Sequence, residues 1–147
     1  MKELEAAAPT LGLKLQRLEV RVPGDLESAF KAATRQRAGA LVAPGDPPVA
    51  NQRKLVADLA LKYRLPTTMD IKEFVEAGGL LSLGPDLVDS YRRSATHVDK
   101  ILKGADPADL PMEQPTKFDL SVNLKTARAL GLTIPQSVLA QATQVIQ

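Results

Sequence analysis

Two aspartates, Asp46 and Asp70, are the best candidates for ligand chemistry, because each follows a short run typical of a buried parallel strand. In an open α/β sheet, ligands bind beyond the carboxyl ends of the strands. A carboxylate there can pair with an ammonium group or accept hydrogen bonds from a polar solute. An aspartate in this place also commonly caps the next helix or closes a Pro-rich turn. The residues alone leave both interpretations open.

Most catalytic and metal sites are excluded by residue content. The chain has no cysteine and a single histidine, His97, so it cannot build a thiolate site or a site of several histidines. We expect His97 to lie on a helix surface or at a lobe interface. Residues 39–45 lack the Lys-Ser/Thr of a phosphate-binding loop, and residues 78–84 lack the spacing of a dinucleotide-binding loop. Glu73 and Glu76 lie near Asp70 in sequence and could do acid–base work as a pair of carboxylates, but their spacing is equally that of the solvated face of a short helix. We therefore predict no catalytic residue, no metal ligand and no cofactor.

The composition indicates one globular α/β core. The chain has 147 residues, of which 44% are hydrophobic and 24% charged, and a net charge of +2 with no basic stripe. With no tryptophan and few other aromatic residues, it has no platform for stacking nucleic-acid bases. The first residues lack the apolar core of a signal peptide, and no run of about 18 apolar residues could span a membrane. On its own, the chain is expected to stay in the cytoplasm.

Helices and strands alternate along the predicted chain. Strands are expected at 13–21, 39–43, 66–70, 80–83 (a strand or hinge segment) and 116–122. Helices are expected at 2–10, after Asp25 as N-cap, at 49–65, 72–77, 86–103 and 124–130, and from Pro135 to the end, with an extended crossover over 105–115. The longest helix carries one apolar stripe, formed by Leu87, Tyr91, Ala95, Val98 and Leu102. This alternation predicts a three-layer α/β fold: a mostly parallel sheet with helices on both faces.

Several runs occur in one collinear order over nearly the whole chain, namely residues 74–84 (Phe-Val-Glu-Ala-Gly-Gly-Leu-Leu-Ser-Leu-Gly), 91–93, 98–105, 107–118 and 123–132. Together they resemble the ABC transporter substrate-binding protein family that includes the tryptophan/tyrosine-type binding proteins. The resemblance implies a type I periplasmic binding protein, in which two α/β lobes close on a small solute. Such proteins are not enzymes, and they deliver the solute to a membrane permease and its ATPase.

The resemblance also implies a domain organisation. Residues 1–83 would form the second lobe without its opening strand, residues 84–114 would return to the first lobe, and residues 115–147 would belong to the second lobe again. In this fold the opening strand is central, so the predicted strands 13–21 and 39–43 would lack their common neighbour. Unpaired backbone in a buried sheet is costly. Copies of the chain are therefore expected to aggregate or to form a segment-exchanged homo-oligomer.

The predicted ligand-binding residues are Asp46, Asp70, Pro44 and Ser82. The chain departs from the family near this site: Leu83 stands where the family often has tyrosine, and residues 43–48 are less apolar than usual. The resemblance therefore implies a small solute, such as an amino acid or a related organic molecule, without identifying it. A small Rossmann-like enzyme or a regulatory domain with a site near Asp46 and Asp70 is the alternative.

Overall fold

A computed structural model describes residues 2–147 of the chain. The strands are β1 (Leu41–Ala43), β2 (Thr67–Met69), β3 (Leu81–Pro85), β4 (Phe118–Asn123) and β5 (Gln144–Ile146). The helices are α1 (Lys2–Thr10), α2 (Asp25–Arg35), α3 (Pro47–Ala50), α4 (Arg53–Lys62), α5 (Lys72–Glu76), α6 (Leu87–Leu102), α7 (Leu124–Leu130) and α8 (Gln136–Leu139), with a 3-10 turn at Pro107–Asp109.

The five strands form one mixed sheet in the order β1-β2-β3-β4-β5. All neighbouring strands are parallel except β3 and β4, which run antiparallel, with Pro85 opposite Phe118. The carboxyl ends of β1, β2 and β3 therefore lie at the same edge of the sheet. The prediction of an α/β fold with a mostly parallel sheet is confirmed.

The hydrophobic core lies between the sheet and three helices. Helix α2 buries Leu26, Phe30 and Ala33, as its spacing predicts, because these residues recur on one helical stripe. Phe74 of α5 is fully buried, and its ring packs so closely on Gly79 that a Cβ there would overlap it. The cluster includes Ala43 of β1, Leu65 just before β2 and Met69 at the end of β2, so the core anchors these two strands.

The prediction of a strand over residues 13–21 is wrong. Residues 13–20 have no regular secondary structure and pair with no strand in the described part of the chain. Leu18 and Val20 still pack against the core while their neighbours stay exposed, which preserves the period-two burial of a strand. A strand also needs a hydrogen-bonded neighbour, and alternation alone cannot supply one.

Three other predictions near helix ends need correction. The predicted helix over 49–65 is two helices, interrupted at 51–52, and the predicted final helix from Pro135 is only α8, followed by β5. Asp25 does not cap α2 with its side chain. Its carboxylate instead accepts from the backbone N–H groups of Arg21 and Val22 (3.0 and 3.1 Å), and these bonds lower the pKa of Asp25.

Within residues 2–147, no helix is long and apolar enough to cross a membrane.

Candidate functional site

Asp46 and Asp70 lie at the carboxyl edge of the sheet. Asp70 directly follows β2, and Asp46 comes three residues after β1, at the start of α3. Both side chains are exposed. Because parallel strands end at a common edge, the two residues reach the same surface although 24 positions separate them. Pro44, the residue after β1, is also exposed at this edge.

The two carboxylates are not used in helix capping. Asp46 is the N-cap residue of α3, yet its side chain accepts no capping hydrogen bond, and the α3 N–H groups of Val49 and Ala50 bond its backbone oxygen instead (2.9 and 2.8 Å). The side chain of Asp70 makes no hydrogen bond or ion pair with any described residue. The capping interpretation of the sequence therefore accounts for neither carboxylate.

Two glycines bring the backbone close to Asp70. A Cβ at Gly45 would overlap the Oδ1 atom of Asp70, and a Cβ at Gly84 would overlap its backbone oxygen. Gly45 directly precedes Asp46, so the loop that carries one aspartate touches the carboxylate of the other. In the sequence these glycines stand out only as the last residues of the runs 39–45 and 78–84, which lack the features of nucleotide-binding loops. A glycine at the end of a predicted strand is also the known signal for close backbone approach.

Gly84→Ala is expected to destabilise the protein by about 1–3 kcal/mol, because the new methyl group would meet a backbone carbonyl that cannot rotate away. Urea denaturation of both proteins would measure the loss in free energy of unfolding. Gly39→Ala is the matched control, since a Cβ at Gly39 meets no atom within 4 Å. Equal unfolding free energies for the two variants would contradict the close approach of Gly84 to Asp70.

Ser82 lies behind this surface rather than on it. It is 1% exposed in the middle of β3, paired with Met69 on one side and Ser121 on the other. Its hydroxyl has no hydrogen-bond partner within the described chain. The four predicted ligand-binding residues thus divide into three on the exposed edge and one buried beneath it.

Grooves elsewhere on the described surface lie away from the aspartates. One, of about 310 Å³, runs between α6 and the crossover and is lined by Arg93, His97 and Met112. Another, of about 440 Å³, lies between the segment at Leu18 and helix α2. His97 donates from Nε2 to the backbone oxygen of Pro111 (3.2 Å), so it joins α6 to the crossover. The edge with Asp46 and Asp70 is exposed to solvent.

Solved structures similar to this chain include two at about 30% identity. A conserved domain protein from Vibrio cholerae O1 biovar El Tor is 30% identical with a TM-score of 0.89, over 98% of this chain and 48% of that one. An ABC domain from Streptococcus pneumoniae, solved in complex with L-Trp, is 31% identical with a TM-score of 0.89, over 99% of this chain and 49% of that one. This chain spans about half the length of these relatives.

A third structure shares the fold. It is the ligand-free, open form of a substrate-binding protein with adhesive properties from Clostridium difficile, at 21% identity and a TM-score of 0.72, over 99% of this chain and 48% of that one. Comparison with curated proteins gives no match. The model of the ABC transporter substrate-binding protein family matches residues 1–146. The chain belongs to the ABC transporter substrate-binding protein family, a family of binding proteins rather than enzymes.

Proposed function

We propose that this chain is part of the solute-binding component of an ABC-type importer. The complete protein captures a small solute, such as an amino acid or a related organic molecule, in a cleft between two lobes. It then delivers the solute to a permease driven by an ATPase. We place this event in the periplasm, where binding proteins of this family meet their permeases.

The observation that carries the proposal is the pair of exposed, unpartnered carboxylates at the carboxyl edge of a mostly parallel sheet. Asp46 and Asp70 stand where open α/β sheets bind ligands, and the Gly45 loop brings them to one surface. A carboxylate without a protein cation favours a solute that carries an ammonium group or several hydrogen-bond donors. Amino acids carry such a group, and a relative at 31% identity was solved in complex with L-Trp.

The proposed domain division follows the strand ends. Residues 1–83 and 115–147 would form one lobe, and residues 84–114 would belong with the other. Pro85 and Phe118 pair at the boundary, so the chain leaves and rejoins the sheet at adjacent positions. The sheet edge at β1 has no described neighbour, which suits a lobe whose opening strand comes from the rest of the protein. Segment exchange between copies stays a prediction.

The site can be tested in a two-lobe fusion, in which residues 1–147 are joined to the half of the Streptococcus pneumoniae relative that they do not match. We expect the fusion to bind L-tryptophan and Asp70→Asn to weaken binding at least ~10-fold, because a charge-assisted hydrogen bond contributes about 1.5–3 kcal/mol. Isothermal titration calorimetry measures both affinities.

Glu76→Gln is the matched control, because Glu76 is an exposed carboxylate near Asp70 in sequence but on helix α5. It should leave the affinity unchanged. If Asp70→Asn binds as tightly as the fusion while the fusion itself binds L-tryptophan, the site assignment is wrong. If the fusion melts cooperatively yet binds none of the twenty amino acids, an amino acid is not the solute.

A further inference from the structure

Helices α1, α2, α4, α5, α6 and α7 all end in the same kind of turn. One residue there has a left-handed backbone, and the N–H of the next residue donates to a carbonyl five positions back, at 2.8 to 3.0 Å. Four turns place glycine at the left-handed position, whereas the turns after α2 and α4 place Arg37 and Arg64 there (φ 56° and 51°). Glycine adopts this backbone at low cost and other residues are strained. The backbone therefore does not explain these two arginines, and a function for their side chains has to be sought.

The two arginine turns lie on the edge of the sheet opposite the aspartates. Arg37 precedes β1 and Arg64 precedes β2, and these strands run parallel. Where the strands begin, the Leu41 N–H donates to the Pro66 carbonyl (2.8 Å), which joins the two connections. Both arginines are exposed. They therefore project from neighbouring turns at the amino edge of the sheet.

The segment after α1 brings two more cations to this edge. The side-chain amide of Gln16 donates to the backbone oxygen of Gln36 (3.2 Å), the residue before Arg37. Lys14 and Arg17, on either side of Gln16, are exposed. We call this surface the basic edge, formed by Lys14, Arg17, Arg37 and Arg64. The sequence shows no basic stripe, because these residues come together only in the folded chain.

The described chain does not neutralise the basic edge. Within residues 2–147, none of its four cations forms an ion pair with a carboxylate. Glu19 and Glu27 lie on the segments that form this edge, but they pair with Arg21 and Lys62 (2.8 Å each). Unpaired cations on one face attract a partner that carries several negative charges.

Exposed leucines accompany these cations. Leu11 and Leu13 stand on either side of Gly12 in the turn after α1, and they are 69% and 59% exposed. A surface with both cations and apolar side chains fits an anionic bilayer, in which phosphate headgroups overlie an apolar interior. A soluble polyanion would engage the cations alone.

We propose that the basic edge binds the headgroups of anionic phospholipids, with Leu11 and Leu13 entering the interface beside them. Arginine suits this task, because its guanidinium stays charged and donates paired hydrogen bonds to phosphate. The edge with the aspartates then faces away from the bilayer. The bound protein is held at the membrane surface with its solute-binding edge accessible.

Flotation of residues 1–147 with vesicles of equal parts phosphatidylglycerol and phosphatidylcholine measures this binding. We expect the chain to float with these vesicles and not with phosphatidylcholine alone. The double variant Arg37→Gly/Arg64→Gly should bind at least ~10-fold more weakly, because each basic residue near an anionic membrane adds to the attraction. Its melting temperature should be unchanged or higher, since glycine relieves two left-handed positions.

Arg92→Gln/Lys100→Gln is the control of equal net charge. Both residues are exposed cations without an ion pair, and they lie on α6, which leaves the sheet at the opposite edge. This control should change flotation less than ~3-fold. Leu11→Ser should weaken flotation at least ~3-fold and leave binding to inorganic polyphosphate unchanged, which separates a bilayer from a soluble polyanion.

Four results would overturn the inference. They are no flotation with phosphatidylglycerol vesicles, an equal loss in the arginine variant and its control, and a lowered melting temperature of the arginine variant, which would assign the arginines to the fold. The fourth is binding to polyphosphate with flotation unaffected by Leu11→Ser, which would make a soluble polyanion the partner. None of these readouts involves a solute, so they are independent of the proposed function.

Discussion

Residues 1–147 alone are expected to bind L-tryptophan at least ~100-fold more weakly than the two-lobe fusion. The edge with Asp46 and Asp70 is an open surface, and both carboxylates are exposed to competing water. A micromolar binder needs about −8 kcal/mol, and a 100-fold loss corresponds to about 2.7 kcal/mol. Removing one wall of a clamp removes contacts of that size, because each wall buries its own share of the solute.

Calorimetry on both proteins under the same buffer conditions measures this difference. The fusion with Asp70→Asn serves as an internal reference, since it retains both walls and loses only one charged contact. Equal affinities for the isolated chain and the fusion would mean that this lobe binds the solute by itself, and the clamp mechanism would be wrong for this protein.

Phe74→Ala is expected to reduce the free energy of unfolding by about 3–5 kcal/mol, the usual loss when a buried phenylalanine is truncated. The Phe74 ring is 0% exposed and packs on the backbone at Gly79, so the cavity cannot be filled from solvent. A loss of this size is a large part of the whole stability of a small domain. Urea denaturation followed by circular dichroism measures the change.

Phe118→Ala provides the comparison for this substitution, because the Phe118 side chain is 58% exposed. It removes the same atoms from a position that is already largely hydrated, so in the isolated chain it should cost less than about 1 kcal/mol. Similar losses at Phe74 and Phe118 would show that α5 does not form part of the core.

Much of the local structure followed from the sequence because the signals are local. Asp86 begins α6 and accepts from the N–H of Asp89, as expected of an N-cap. Gly131 ends α7 with a left-handed backbone (φ 75°), which glycine adopts at low cost. Where a prediction from the sequence was wrong, the outcome depended on contacts with residues far away in the sequence. Residues 13–20 have the alternation of a strand, but strand formation depends on a neighbour that no short pattern specifies.

Part of the candidate site could be predicted from the sequence, and part could not. That Asp46 and Asp70 follow parallel strands and reach one edge could be predicted, because strand direction and chain order constrain the topology. That Gly45 touches the Asp70 carboxylate, and that Ser82 is buried behind the edge, could not be predicted. These contacts depend on register and pleat, and a shift of one residue reverses which side chains face the core.

The sequence by itself determined an α/β chain with one globular core, the family resemblance, and two aspartates at the carboxyl ends of strands. Only the tertiary structure decided that those carboxylates have no protein partner and that helix α6 turns its apolar stripe outward. The spacing of apolar residues along α6 can be read from the sequence, but whether that side of the helix faces the core or solvent cannot. Which side faces solvent depends on the hydrogen bonds of Arg93 to residues 20 and 23 positions away, which the folded chain alone brings together.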